Sequence, residues 1–132
     1  MPARVALFAL LVPEYDTGLA FYAGVLGWDV TTDLDQGGGK RWVVVTPPGG
    51  GTAVLLARAV GPGQTSAIGN QTGGRVGFFL QTDDFARDHA AMIAAGVAFE
   101  EAPRVEPYGT VAVWRDPFGN RWDLIEYAGV SP

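Results

Sequence analysis

The second half of the chain repeats the plan of the first. Residues 5–12 form an apolar run that reads as a strand buried on both faces. Asp16 then stands as a candidate N-cap for a helix reaching about Leu26, with Leu19, Tyr22 and Leu26 on its apolar face and Gly27 as its stop. Three more strands follow at 28–32, 42–46 and 53–57, separated by the Gly-rich turns at 35–39 and 47–51. From Val76 the plan starts again. A strand at 76–81 leads to Asp83 or Asp84, either of which caps a helix running through Phe85, His89 and Met92 to Gly96. Strands at 97–99, 111–114 and 121–127 complete the copy. The offset, Leu7 to Gly77, is about 70 positions, which marks a duplicated module rather than a solenoid.

This duplication limits the fold. One sheet with one helix leaves its other face uncovered, so a single module is not a stable body. The expectation is an α+β fold of two βαβββ modules in tandem, forming a curved mixed sheet around a cavity. The first module covers 1–60, a Gly/Ser/Thr/Gln-rich connector 61–74, and the second module 75–132. Pro62 and Gly63 argue against a helix in the connector. The uncovered faces also predict a homodimer, with modules paired within a chain or between chains.

Composition excludes several functions. The net charge is −5 and no run of Lys and Arg exists, so nucleic acid and anionic membrane surfaces are not expected partners. There is no cysteine, hence no disulfide, thiolate metal site or Cys nucleophile. The single histidine, His89, sits mid-helix, which excludes any site needing two histidines from one chain and reads as a partly exposed structural residue. The eight-residue apolar run at 5–12 is too short to span a bilayer and lacks a cleavage pattern, so a cytoplasmic protein is expected.

Several segments in order are similar to the vicinal-oxygen-chelate superfamily, which includes glyoxalase I, extradiol dioxygenases and bleomycin-resistance proteins. They are Leu19-Ala20-Phe21-Tyr22, Val25-Leu26-Gly27-Trp28, the Tyr108-Gly109 pair, and the turn Arg115-Asp116-Pro117-Phe118-Gly119-Asn120. The turn itself is structural: Pro117 fixes φ, and Gly119 and Asn120 tolerate positive φ. The resemblance implies four strand positions that hold a metal in metal-dependent members. Here they fall at Leu7, Leu56, about Gly77, and Asp123. Leucine and glycine side chains offer no donor, and a lone carboxylate leaves a divalent ion weakly held. No metal and no cofactor are therefore expected.

A cavity without a metal would be lined by apolar and aromatic groups. Alternation along 121–127 puts Asp123 on one face with Ile125 and Tyr127, and Trp122 and Leu124 toward the helices. Trp42, Leu56, Tyr108, Trp114 and Asp123 are the candidate ligand-binding residues, suited to a planar or cationic ligand. Arg41, Arg75 and Arg115 are possible partners for an anionic group or for Asp123. Three functions follow. The first is metal-independent binding of a small aromatic or cationic molecule in the cavity between modules. The second is a metal-free isomerase or lyase using Asp123 as general base. The third is an interaction module with a vestigial cavity. A salt-bridged Asp123 in an open aromatic cavity suits the binder, an unpaired one the enzyme.

Overall fold

Both halves fold as mixed sheets backed by a helix, each held by a parallel pair between its first and last strands. A computed structural model describes all 132 residues and resolves two compact units, Met1–Ile68 and Gly69–Pro132.

In the first unit, β1 (Leu7–Val12), β2 (Asp29–Gly37), β3 (Lys40–Thr46) and β4 (Ala53–Arg58) are ordered β1-β4-β3-β2. β1 runs parallel to β4, and the other pairs are antiparallel. Helix α1 (Tyr15–Leu19) makes the crossover and continues as a wider, π-type stretch, Ala20–Val25. There the Leu26 N–H bonds back five residues to the Phe21 carbonyl at 2.9 Å. Gly27 then turns the chain at φ +73°, a conformation that favours glycine. Asp16 does not cap α1. Glu14 holds that position, and Asp16 lies inside the first turn, paired to Arg41 at 2.8 Å. β2 runs on to Gly37, so the loop expected at 35–39 shrinks to a tight hairpin.

The connector also departs from expectation, because α2 (Gly61–Ala67) is helical. Pro62 sits in its first turn, where a missing N–H breaks no helical bond and the fixed φ suits the helix. The unit's core lies on one sheet face. Leu10 pairs with Leu56, Val43 with Leu56, and Val45 with Val54, and all five are buried. Gly18 of α1 lies against this face: a Cβ there would be 3.1 Å from Leu56 Cδ1 and from Val12 Cγ1.

The second unit contains β5 (Phe78–Gln81), α3 (Phe85–Ala94), β6 (Ala98–Phe99), β7 (Arg104–Glu106), β8 (Gly109–Arg115) and β9 (Arg121–Tyr127). The order is β5-β9-β8-β6, with β7 also on β8. β6 and β7 share one side of β8, opposite Trp114–Arg115 and Gly109–Val111 respectively. Between them Pro103 lacks an N–H and cannot extend the ladder. Of the two candidate caps for α3 it is Asp84 whose side chain accepts from the Arg87 N–H. Glu126 of β9 adds a second cap, its Oε1 accepting from the Phe85 N–H at 2.7 Å.

The turn at 116–120 is held by Asp116. Its Oδ1 accepts from the N–H groups of Phe118 and Asn120, and its Oδ2 from Asn120 Nδ2 at 2.7 Å. Gly69 (φ +72°) packs so closely on this turn that a Cβ would fall 1.9 Å from the Phe118 carbonyl oxygen.

Candidate functional site

Residues paired across a sheet share a face, so the registers sort the second unit's side chains. Asp123 pairs with Phe79 of β5 and Val113 of β8. Two residues along β9, Ile125 pairs with Gln81 and Val111, and Val111 pairs in turn with Arg104 of β7. In the other direction Arg121 pairs with Arg115. This face is turned away from α3, because Glu126, of opposite parity on β9, caps that helix. Asp123 is half-buried there, among the buried Val113, Ile125 and Val111. Phe79 beside it is 60% exposed.

Asp123 Oδ1 is buried and has no hydrogen-bond partner. Desolvation raises its pKa above the ordinary carboxylate value, with Glu101 adding to the rise and the guanidinium groups of Arg104 and Arg121 opposing it. None of the face's arginines pairs with Asp123. Arg104 is bound by Glu101 and Glu106. Glu100 binds both Arg115, at 2.6 Å, and Arg121, at 2.9 Å. The two arginines hold the Glu100 carboxyl below its usual range despite its own desolvation.

Two of the expected ligand-binding residues face elsewhere. Trp114 pairs with Trp122, stacks on it at 5.1 Å between centroids and is fully buried, so it shares the helix side of the sheet and not Asp123's face. Leu56 is also fully buried, beneath Gly18 of α1. On β4 the side shared with Leu7 belongs to Ala53, Leu55 and Ala57. Trp42 lies on that same side, through Val44 and Leu55, and is 38% exposed. Tyr108, 48% exposed, sits in the turn joining β7 to β8. Arg41 is committed to Asp33 and Asp16, both at 2.8 Å, and lies over the Tyr15 ring. The backbone carbonyl of Arg75 accepts from Thr72 Oγ1. His89 is half-buried, stacked on Phe85 and edge-on to Phe99.

Phe79 and Arg104 escaped the sequence reading. Phe79 comes opposite Asp123 only through the register of β5 on β9, which no local pattern announces. Nothing local announced the short strand that carries Arg104.

A sequence profile described as the glyoxalase/bleomycin resistance protein/dioxygenase superfamily matches residues 4–124. The chain belongs to this superfamily. A protein of Shewanella frigidimarina (strain NCIMB 400), described as uncharacterized, is 46% identical to it over 134 residues, covering 100% of this chain and 99% of that one. The solved structure of TnmS3, an antibiotic binding protein from Streptomyces sp. CB03234, is 30% identical with a TM-score of 0.77, covering 97% of this chain and 99% of that one. A superfamily member from Sphaerobacter thermophilus DSM 20745 is 26% identical with a TM-score of 0.75, covering 94% and 97%.

Of the four strand positions expected to hold a metal, three lack a donor side chain. Leu7 and Gly77 carry no donor side chain, and Leu56 points into the core, with only Leu55 and two alanines on the other side of its strand. Asp123 alone offers oxygen. No three His, Cys, Asp or Glu side chains gather anywhere in the chain. This donor set does not fit a divalent cation. No helix is long and apolar enough to cross a membrane.

Proposed function

We propose that the protein binds a small aromatic or cationic organic molecule without a metal, and that Asp123 contacts it. The observation that carries this reading is the 30% identity to an antibiotic binding protein along nearly the whole of both chains. The side chains around Asp123 support it. Exposed Phe79 offers a flat ring, and buried Val113 and Ile125 offer apolar floor. Tyr108 is 48% exposed in the turn between β7 and β8, whose strands border this face. In this reading the working unit is a homodimer, as the apolar sheet faces of each half suggest.

A second reading rests on Asp123 being unpaired. A carboxylate with a raised pKa, no ion pair and one orphaned oxygen is suited to take a proton from a bound substrate. Calorimetric titration with bleomycin and with proflavine, combined with mass spectrometry of the recovered probe, separates the two. Binding with the probe returned intact supports the binder. Time-dependent conversion that is lost in Asp123→Asn supports the acid–base reading. Absence of binding by both probes counts against both readings. Sedimentation at micromolar concentration tests the dimer, and a monomer refutes it.

A further inference from the structure

We propose that the sheet face bearing Asp123 and the exposed Phe79 selects ligands that carry one positive charge on a planar apolar body, and that it rejects anions of the same shape. This rests on the binding reading above and narrows it to a ligand class.

The first support is a charge count. Arg104, Arg115 and Arg121 share the face with Asp123, and their carboxylate partners are Glu100, Glu101 and Glu106. Three guanidinium groups face four carboxylates, so one negative charge remains. Arg104 with Glu101 and Glu106 is one negative charge in excess and Arg115 and Arg121 with Glu100 one positive, so these two clusters offset and the remainder is the unpaired Asp123.

The second support is the inventory of unused hydrogen-bonding capacity. An anionic ligand would have to approach Asp123 itself, and each of the three guanidinium groups around it already donates to a carboxylate. Arg121 donates to both Glu100 and the Gly74 carbonyl. Arg104 donates to Glu101 and Glu106. What the face has to spare is an acceptor, the orphaned Asp123 Oδ1. A buried acceptor without a donor is costly, and a ligand N–H that reaches it removes that cost.

The third support is the surround. Phe79 lies on one side of Asp123, is 60% exposed, and can take an aromatic cation on its ring. Val113 on the other side, with Ile125 next along the strand, gives an apolar floor that strengthens a charge-assisted contact by excluding water. The protein's net charge of −5 adds a long-range bias of the same sign.

Three tricyclic probes of nearly one shape test this: 9-aminoacridine, a monocation; 9-anthracenemethanol, neutral; and 9-anthracenecarboxylate, an anion. Their affinities are measured on the full chain at pH 7 by fluorescence titration. The expected order is cation, then neutral, then anion, with at least tenfold between the first and last. In Asp123→Asn, checked for folding by its thermal melt, the spread should fall to within about threefold, since the charge-assisted contact is lost. The comparison on the unaltered protein stands even if the variant does not fold. Equal affinities for the three probes, or a preference for the anion, overturn the charge selection and leave the binding reading intact. A preference that persists in folded Asp123→Asn also overturns it, because Asp123 is then not its source. Failure of all three to bind at millimolar concentration overturns both readings.

Discussion

Replacing Asp123 by leucine should stabilise the protein while removing its ligand contact. In the folded chain Asp123 Oδ1 is out of water without a donor, and its flanks are Val113, Ile125 and Phe79. A buried unsatisfied polar atom costs about 1–3 kcal/mol. Because the side chain keeps some contact with water, the lower part of that range applies, about 1–2 kcal/mol gained by Asp123→Leu at pH 7. With a urea dependence of about 2 kcal/mol per molar, the midpoint should rise by roughly 0.5–1 M. The gain should depend on pH in a defined direction. Asp123 has a folded pKa above its unfolded value, so its wild-type state is favoured below the unfolded pKa, near about 3.9, and penalised as pH rises through the folded pKa. The gap between variant and wild type should therefore be smallest near pH 4 and widen to a plateau toward pH 7. Urea unfolding followed by tryptophan fluorescence at several pH values measures it. A destabilised leucine variant, or a gain that does not change with pH, would refute the reasoning.

Two further predictions follow from the packing. Gly69→Ala should cost more than about 3 kcal/mol, because it combines a left-handed φ with a Cβ 1.9 Å from the Phe118 carbonyl oxygen. Gly73→Ala, at the same φ of +72° with nothing within 4 Å, should cost only about 1–2 kcal/mol, and thermal melts that rank the two equally would contradict the close approach. Leu56→Ala should destabilise by about 2–5 kcal/mol as a core truncation, whereas the partly exposed Trp42→Ala should cost clearly less; a cheap Leu56→Ala would return that residue to the list of ligand contacts.

How much of this was legible depended on the local pattern of each strand. β9 alternates Arg-Trp-Asp-Leu, so its two faces separate in the sequence, which puts Asp123 on the side away from the helix. β4 reads Ala-Val-Leu-Leu-Ala, apolar on both faces, and period-two reasoning had no way to choose between Leu55 and Leu56. The same loss of contrast along Val111-Ala112-Val113-Trp114 sent Trp114 to the wrong side. Pro62 reads as a breaker from sequence because its effect depends on position, and in the fold it opens a helix. The duplication, the turn at 116–120 and a cap at Asp83 or Asp84 rest on residue chemistry close in sequence, whereas the same chemistry at Asp16 gives way to Glu14 and an ion pair with Arg41.

The rims formed by β2 and by β6 with β7 have one more consequence, for behaviour at high concentration. β2 carries Asp29, Asp33 and Asp35 and is interrupted by two register shifts. The rim of the second sheet is cut by Pro103 and bears Arg104 and Glu106, each already ion-paired. Broken hydrogen-bond spacing, proline and fixed charge are the features that stop a foreign strand from adding to a sheet edge. A chain that is 48% hydrophobic and rich in valine strands is thereby protected on these two sides from growing into fibrous aggregates.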